Sequence, residues 1–364
     1  MSRLRLARSA GFCYGVRRAV ELAERAAGEE TPCWMLGSII HNRDVVERLE
    51  ALGLKTAQSP EEVPSGARAL IRSHGESRAV LCALEARGVE LLDATCPNVK
   101  RIHELVCQAE ERGRTPVIIG THRHPEVEAI AGWCRHPVVL SGVEELEKWL
   151  EEDEKNGKIP LTFVSQTTST QKIWEDCLKK AKKECTNAEF FDTICGATSK
   201  RQDEAVRLAR VCGAMVVVGD RHSSNTKRLA QLCAESCPRV QLIERAADLD
   251  PSDLKQADAV GITAGASTPA WIIKEVMDKM SDEIMEVEKS FAEMLEESIK
   301  TLNTGETVKG TVVAVTPTEI EVELGIKYPG YIPVSEMSDD PDVKIEDVVK
   351  VGDEIEAYVT LVSD

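Results

Sequence analysis

The sequence predicts an α/β fold of three repeated modules with parallel sheets, followed by a small all-β domain. The first observation is a repeat: Cys13, Cys96 and Cys195 each precede a helical pattern and each stand 24 residues before a glycine that ends an apolar strand. The second is that apolar strands alternate with amphipathic helices, which is typical of parallel sheets. The third is that short strands with alternating polar and apolar residues replace this pattern after residue 303.

Composition and charge exclude several classes of protein. A length of 364 residues suggests two or three domains, and a net charge of −17 argues against a general binder of nucleic acids or anionic membranes. The N-terminus lacks a signal-peptide core and no apolar run reaches the roughly 18 residues of a membrane span, so we expect a cytoplasmic location. The 12 cysteines include no Cys-x-x-Cys pair, which disfavours zinc ribbons and thioredoxin-like motifs. In the cytoplasm, a disulfide framework is not expected either. We expect Cys233 and Cys237 to be buried thiols.

The first module is expected at residues 9–96 of an α/β domain that spans 1–281. A helical pattern follows Cys13, and a strand at 33–36 ends before Gly37. A helix at 44–52, a strand ending at Arg72 and a helix after His74 come next. A strand at 89–94 then leads to Cys96.

The second and third modules, residues 97–193 and 194–281, repeat this plan. In the second, Pro125 occupies a first helical position and the hydroxyls at 167–170 precede a helix. The remaining predicted segments of the second module are helices at 99–111, 126–132, 143–152 and 171–184 and strands at 116–119, 161–164 and 189–193. The third module follows at an offset of 99 residues, with strands at 214–218, 240–243 and 259–263 and a closing helix at 269–280. Loops at the carboxyl ends of these strands are expected to form the site.

The C-terminal part has a different character. Residues 282–303 predict an acidic helical linker, and strands are predicted at 308–315, 319–324, 330–334 and 355–359. With its Gly-Tyr-Ile-Pro-Val-Ser-Glu segment at 330–336, the region 304–364 resembles the OB-fold repeat of ribosomal small-subunit protein one. Because an OB-fold has five strands, we expect the repeat to lack its last strand and the natural chain to continue.

The charge of this C-terminal repeat bears on its partner. Residues 304–364 contain four lysines and fourteen acidic residues, a net charge of −10. Tyr328 and Tyr331 are candidates for stacking on bases, but single-stranded nucleic acids usually bind a basic groove. RNA binding is therefore compatible with the fold but not favoured, and docking to a protein or a fusion without functional coupling is favoured.

The three repeated cysteines suit a metal centre. Soft thiolate ligands favour zinc or an iron–sulfur cluster. A structural zinc site usually has four ligands at short local spacings, whereas a 4Fe-4S cluster held by three cysteines leaves one iron open. The structural alternative is three buried cysteines, which their shared repeat position disfavours.

Polar loop tips supply a second group of candidates. They occupy equivalent repeat positions, mostly just before a helix, where backbone N–H groups and the helix dipole attract anions. These residues are His41, His74, His124, Ser223, Asn225 and Ser267. Together they predict a diphosphate site without a phosphate-binding glycine loop. The other histidines break the repeat and are expected to be surface or capping groups: His103, His122, His136 and His222.

Glu126 and Thr167 are candidates for proton transfer. Glu126 lies two residues after His124 and has no equivalent carboxylate in the other modules, which fits a proton donor unique to one side, although a first-turn glutamate is ordinarily a solvated helix-dipole partner. Thr167 could cap the helix at 171–184, relay that proton, or do both.

Ordered motifs along residues 1–281 carry a family resemblance. They are Gly-Phe-Cys-Tyr-Gly-Val from Gly11, His41-Asn42, Ser73-His74-Gly75, Asp93-Ala94-Thr95-Cys96-Pro97, His124-Pro125-Glu126-Val127, Gln166-Thr167-Thr168, Cys195 with Arg201-Gln202, Ser223-Ser224-Asn225 and Thr263-Ala264-Gly265-Ala266-Ser267. This set resembles 4-hydroxy-3-methylbut-2-enyl diphosphate reductase, the LytB/IspH family.

The resemblance implies three pseudo-threefold-related modules around a 4Fe-4S cluster. It implies that Cys13, Cys96 and Cys195 hold three irons and that the hydroxyl of an allylic diphosphate substrate binds the open fourth. It further implies that the diphosphate is bound by His41, His74, His124, Thr168, Ser223, Ser224, Asn225 and Ser267. Two electrons, with protons routed through Glu126 and Thr167 near His124, would remove the hydroxyl as water and give isopentenyl and dimethylallyl diphosphate, the last step of the non-mevalonate pathway. The family expectation for the electron donor is a small ferredoxin or flavodoxin.

Two other functions remain open on the residues alone. An aconitase-like dehydratase also uses an open iron, but needs no electron donor and no constellation of three histidines for a diphosphate. An iron–sulfur sensor coupled to the OB-like repeat would change its affinity for RNA with the state of the cluster.

Overall fold

The computed structural model describes residues 4–29, 31–153, 155–254, 257–283, 307–316, 318–324, 329–337 and 349–360. The chain divides into two compact units, Met1–Glu288 and Lys289–Asp364, and each is described by itself. The predicted linker at 282–303 lies almost entirely outside the described residues, so the predicted domain boundaries stay predictions.

The first unit begins with a short strand and continues into a module with its own parallel sheet. Its strands are β1 (Leu4–Leu6), β2 (Cys33–Leu36), β3 (Lys55–Ala57), β4 (Arg68–Ile71) and β5 (Glu90–Asp93), and its helices are α1 (Tyr14–Ala27), α2 (Arg43–Ala51) and α3 (Arg78–Ala86). Strands β2 to β5 form one sheet in the order β3-β2-β4-β5, with every pair parallel. The strand β1 belongs to another sheet.

The second module repeats this topology. Its strands are β6 (Thr115–Ile119), β7 (Val138–Leu140), β8 (Leu161–Ser165) and β9 (Ala188–Phe190), and its helices are α4 (Pro97–Glu111), α5 (Pro125–Ala131), α6 (Val143–Glu152) and α7 (Gln171–Glu184). The sheet order is β7-β6-β8-β9, again with every pair parallel.

The third sheet is completed by the N-terminus of the chain. Its module contains β10 (Ala214–Val218), β11 (Val240–Ile243) and β12 (Val260–Ala264), with α8 (Gly196–Val211), α9 (Ser224–Ala234), α10 (Pro251–Leu254) and α11 (Ala270–Glu283). Strand β1 pairs in parallel with β12, so the order is β11-β10-β12-β1. Each sheet therefore ends on a strand that precedes one of the three cysteines, and in the third sheet that strand comes from Leu4–Leu6.

Burial explains why the central strands are continuous apolar runs. Every residue of β8, β10 and β12 is buried, as expected for parallel strands covered by helices on both faces. Helix α7, for example, places Trp174 against Phe163 of β8 in one core cluster. The predicted α/β fold class of three modules is confirmed, and within the described residues no helix is long and apolar enough to span a membrane.

The sequence analysis located the central strands but missed short edge strands. Strands β3 and β7 were not predicted, and β1 was not recognised as part of a sheet. Each has only three residues and lies at a sheet edge. Three residues are too few to show the alternation that identifies a strand.

The second unit contains a four-stranded antiparallel sheet. Its strands are β13 (Thr307–Val315), β14 (Glu319–Glu323), β15 (Gly330–Pro333) and β16 (Glu354–Tyr358), in the order β15-β14-β13-β16. The register between β13 and β14 shifts between Val312 and Ala314. Val312, Ile320 and Val322 are buried together with Val349. All four predicted strands are present in this sheet.

Candidate active site

A cavity lies in the first unit, where the carboxyl ends of strands from its three parallel sheets come together. Loops that follow β1, β5 and β9 contribute Cys13, Cys96 and Cys195 to its lining. Its volume is about 90 Å³, compared with the roughly 10–15 Å³ that one water molecule requires. The cavity is therefore large enough for a ligand, and all thirteen site residues that the sequence predicted line it.

The three cysteines occupy the same position relative to a helix. Cys13, Cys96 and Cys195 are the N-cap residues of α1, α4 and α8, and none of their side chains caps its helix. The sulfurs are thus available to the cavity, at helix ends whose dipoles favour thiolates. The side-chain amide of Asn98 donates to Sγ of Cys195 at 3.3 Å.

The thiol of Cys96 is influenced by the two other thiols of the cavity. Burial, and then the neighbouring Cys195 and Cys13, raise the pKa of the Cys96 thiol well above its ordinary value. Three thiolates at this place therefore require a compensating positive charge. Within the described ranges, no three His, Cys, Asp or Glu side chains are arranged to hold a single metal ion.

Three imidazoles form a second cluster in the cavity. The ring centroids of His41 and His74 are 4.5 Å apart, and that of His124 lies 5.7 Å from each of them. Burial is the main reason why the pKa of all three is lowered, for His124 to about 4. The three rings are consequently neutral at pH 7 before an anion binds.

Several buried polar atoms in the cavity lack a hydrogen-bond partner among the residues that the structure describes. They are Nε2 of His41, Nδ1 of His74 and both side-chain atoms Oδ1 and Nδ2 of Asn225. Leaving such groups unpaired costs about 1–3 kcal/mol each, so their presence at one place indicates a polar ligand. In His124, Nδ1 accepts from the backbone N–H of Glu126 at 3.1 Å, which leaves Nε2 as the N–H donor of the neutral ring.

Hydroxyl groups and helix N-termini lie in the same part of the cavity as the three imidazoles. Asn42 and Ser223 cap the N-termini of α2 and α9 by accepting from the backbone N–H groups of Val45 and Thr226. The hydroxyls of Thr168 and Ser224 are 3.2 Å apart, and the Ser267 hydroxyl donates to the carbonyl of His41 at 2.8 Å. The module that carries His41 is thereby tied to the module that carries Ser267.

Glu126 and Thr167 form a buried pair. Oε1 of Glu126 accepts from the backbone N–H of Thr167 at 2.6 Å, and Oε2 lies 2.7 Å from the Thr167 hydroxyl. Burial raises the pKa of Glu126, and the bonds to Thr167 offset part of that rise. Glu126 is 2 % exposed, so it is not a solvated dipole partner. Thr167 does not cap the following helix, because the hydroxyl of Thr170 accepts from the N–H of Ile173 and does so instead.

One histidine was assigned wrongly and several supporting residues were missed. His103 is buried and stacks on Trp133 with ring centroids 4.8 Å apart, whereas His122, His136 and His222 are exposed as expected. The missed residues Asn98 and Arg201 line the cavity, and Arg72 pairs with the buried Glu76 at 2.5 Å next to His74. The sequence motif that contained Arg201 was the signal by which that residue could have been found.

The expectation for Cys233 and Cys237 is confirmed, since both are buried, and none of the cysteines is in a disulfide.

The fold and this cavity define a class of α/β protein in which three similar modules share one thiol- and imidazole-lined site. The family profile described as LytB protein matches residues 4–281. The chain belongs to the LytB family. A second profile, described as S1 RNA binding domain, matches residues 301–364 and agrees with the OB-fold expected for the antiparallel sheet.

Curated relatives extend this finding. A protein of Caldanaerobacter subterraneus subsp. tengcongensis named 4-hydroxy-3-methylbut-2-enyl diphosphate reductase is 41% identical over 280 residues, which cover 76% of this chain and 95% of the relative. A protein of the same name from Clostridium acetobutylicum is 35% identical over 377 residues, covering 100% of this chain but 57% of the relative. That relative is therefore similar to both units of this chain.

Solved structures are similar to the first unit. One, of (E)-4-hydroxy-3-methyl-but-2-enyl diphosphate reductase, is described as the terminal enzyme of the non-mevalonate pathway; it is 36% identical with a TM-score of 0.58 and covers 78% of this chain and 100% of its own. The corresponding reductase from Plasmodium falciparum is 26% identical with a TM-score of 0.73 and covers 78% of this chain and 89% of its own.

Proposed function

We propose that this chain reduces (E)-4-hydroxy-3-methylbut-2-enyl diphosphate to isopentenyl and dimethylallyl diphosphate. The observation that carries the proposal is that three equivalent thiols, three neutral imidazoles and one buried glutamate line the same cavity. Relatives named as this reductase match almost the whole of the first unit. The chain is an oxidoreductase of this kind.

The thiols fit a 4Fe-4S cluster held by Cys13, Cys96 and Cys195. Burial, and then the two other thiols, raise the pKa of the Cys96 thiol, so three thiolates at this place call for a strongly cationic centre. Their arrangement does not suit one metal ion, which favours a larger group. When bound, such a cluster supplies electrons and an open iron that acts as a Lewis acid. The cysteines hold it, and the α1, α4 and α8 N-termini stabilise their negative charge.

The imidazole side binds the diphosphate. His41, His74 and His124 are neutral, and their N–H groups are donors for phosphate oxygens. The amide of Asn225, which lacks a partner among the described residues, and the hydroxyls of Ser223, Ser224 and Thr168 add further donors. Ser267 joins them when its hydroxyl gives up the bond to the His41 carbonyl. This arrangement holds the diphosphate by hydrogen bonds and helix N-termini rather than by a glycine-rich loop.

Glu126 is the proton donor of the reaction. Overall, two electrons and two protons break the allylic C–O bond; one proton leaves with the hydroxyl as water and the other adds to either end of the allyl unit. Because burial raises its pKa, Glu126 retains a proton at a higher pH than an ordinary glutamate. The Thr167 hydroxyl, 2.7 Å from Oε2, orients the carboxyl group and connects it to the cavity.

Electrons come from an external donor, for which we propose a small ferredoxin or flavodoxin. The C-terminal unit belongs to the S1 type of OB-fold. Its acidic composition favours docking to a protein over binding of RNA.

The proposed function is tested with protein reconstituted with iron and sulfide under anaerobic conditions. Oxidation of a reduced viologen dye is followed when the allylic diphosphate is added. We expect substrate-dependent oxidation that is lost in Cys96→Ser and Glu126→Gln, and retained in the matched control Cys82→Ser, which changes an exposed cysteine. An intact 4Fe-4S spectrum with no dye oxidation, or with product formed without any electron donor, would favour a dehydratase instead.

A further inference from the structure

The loop that delivers Cys13 is held by two side chains of helix α8. This loop follows β1 and comprises residues 7–12. Nε of Arg201 donates to the carbonyl of Ser9 at 2.9 Å, and Nη2 donates to the carbonyl of Gly11 at 2.7 Å. Glu204, three residues further along the same helix, accepts from the backbone N–H groups of Arg8 and Ser9, both at 2.8 Å. The Ser9 hydroxyl also donates to Glu204.

These contacts link two of the three thiols through one rigid element. Helix α8 begins directly after Cys195, and residues three apart on a helix lie on the same face. Arg201 and Glu204 therefore hold the carbonyl and N–H groups of one loop from the same face of the helix that carries Cys195. This clamp, by which we mean Arg201 and Glu204 together, connects the backbone before Cys13 to the helix that follows Cys195.

Arg201 also has a property that a structural clamp does not need. It is 3 % exposed and lines the cavity, yet its third nitrogen, Nη1, has no hydrogen-bond partner within the described part of the protein. Its positive charge interacts with Cys13, with Cys195 and, less strongly, with Glu204. A buried guanidinium is costly unless a negative group lies beside it, and the thiolate ligands of a bound cluster are such groups.

We propose that Arg201 is a positioning residue that fixes the Cys13 loop and raises the reduction potential of the cluster by placing a permanent positive charge beside two of its ligands. This inference rests on the proposed function, because it requires a cluster at Cys13, Cys96 and Cys195. A cation close to a cluster stabilises the reduced form, which carries one more negative charge than the oxidised form. Glu204 acts on the same loop without adding that charge to the cavity.

The test uses the full chain, reconstituted anaerobically, in four variants. Arg201→Gln removes the charge, and Arg201→Lys keeps the charge but loses the planar fork that reaches two carbonyls. Glu204→Gln weakens the loop contacts while Arg201 stays in place. Arg207→Gln is the matched control, because it removes one exposed arginine from the same helix. The readouts are the midpoint potential from a redox titration followed by EPR, and the rate at which a chelator removes iron.

We expect the midpoint potential to fall in Arg201→Gln and to stay close to the wild-type value in Arg201→Lys and Arg207→Gln. We also expect Arg201→Lys and Glu204→Gln to lose iron several-fold faster than the wild type. An unchanged midpoint potential in Arg201→Gln would contradict the proposed effect of the Arg201 charge on the reduction potential of the cluster. If Arg201→Gln takes up no cluster, the chelator rates decide, and wild-type rates in both Arg201→Lys and Glu204→Gln would overturn the clamp. Failure of the wild-type chain to take up any cluster would instead contradict the proposed function.

Discussion

Thr167 contacts both carboxyl oxygens of Glu126. Its backbone N–H donates to Oε1 at 2.6 Å, and its hydroxyl lies 2.7 Å from Oε2. The two residues belong to different elements, since Glu126 lies in α5 and Thr167 follows β8. The pair is buried, and burial is the main influence on the pKa of Glu126. A carboxyl group that is both oriented and reluctant to ionise suits proton donation.

The first prediction concerns the pH dependence of activity. Burial raises the pKa of Glu126 above 4.5, so the protonated donor form, and with it the rate, decreases as the pH rises through that raised pKa. The Thr167 hydroxyl lowers the same pKa, so its removal in Thr167→Val is expected to raise the pKa further and to move this decrease to higher pH. The measurement is the rate of dye oxidation against pH for both proteins.

In Glu126→Gln, which cannot release a proton, the rate of dye oxidation is expected to fall by about 100-fold or more at every pH. A decrease at the same pH in Thr167→Val and the wild type would contradict the role of this hydroxyl.

The second prediction concerns stability. The pKa of His124 is about 4 in the folded protein and 6.5 in a model peptide, so the unfolded chain binds more protons between these values. Stability is therefore expected to fall as the pH decreases from about 6.5 towards 4. In His124→Asn this fall is expected to be smaller by about 3 kcal/mol at most, since each unit of pKa shift corresponds to about 1.4 kcal/mol.

Asparagine is chosen because it keeps an N-cap acceptor for the N–H of Glu126. The measurement is chemical unfolding of the metal-free protein at several pH values and constant ionic strength. His136→Asn is the control, since that ring is exposed. Equal pH slopes in His124→Asn and the wild type would show that His124 does not titrate as described.

The repeated parts of the fold and of the site could be predicted from the sequence. Cys13, Cys96 and Cys195 recur before helices at a fixed distance from a glycine, so their shared cavity followed from the register. The position of Ser223 just before a helix followed from the same register, and in the structure its hydroxyl caps α9. The Asn42 cap of α2 was not predicted, because the helix was expected to begin two residues later.

Contacts between modules could not be predicted in this way. Strand β1 joins a sheet whose other strands are more than 200 residues away, and nothing in Leu4–Leu6 indicates that partner. His103 breaks the repeat and was expected at the surface, but it is buried against Trp133, and the Gly75 backbone approaches it so closely that a Cβ there would lie 2.7 Å from the ring. Arg201 likewise has its partners in a loop about 190 residues earlier. In the sequence alone, His103 and Arg201 cannot be distinguished from other residues of their helices.

The third prediction tests the packing around Cys96. Gly15 lies in α1, where alanine would ordinarily stabilise a helix by about 1 kcal/mol. A Cβ at this position, however, would lie 2.6 Å from Sγ of Cys96. Gly15→Ala is therefore expected to displace this sulfur and to reduce the iron bound per chain after anaerobic reconstitution. The control is Gly196→Ala, next to Cys195, where a Cβ would meet no heavy atom within 4 Å. Wild-type iron content in Gly15→Ala would contradict the expected role of Cys96.

The fourth prediction concerns the C-terminal unit. Residues 304–364 carry a net charge of −10, and at low salt this charge repels a phosphate backbone over a longer range. We expect no measurable binding of the full chain to labelled single-stranded RNA at low ionic strength. Of the two tyrosines that the sequence analysis singled out for stacking, Tyr328 lies outside the described residues and Tyr331 is exposed on β15, so Tyr331→Ala is the matched variant. Fluorescence anisotropy against salt concentration measures the outcome. RNA binding that weakens with added salt and is lost in Tyr331→Ala would show that the OB-fold binds RNA despite its negative charge. Absence of binding in both proteins would favour a protein partner.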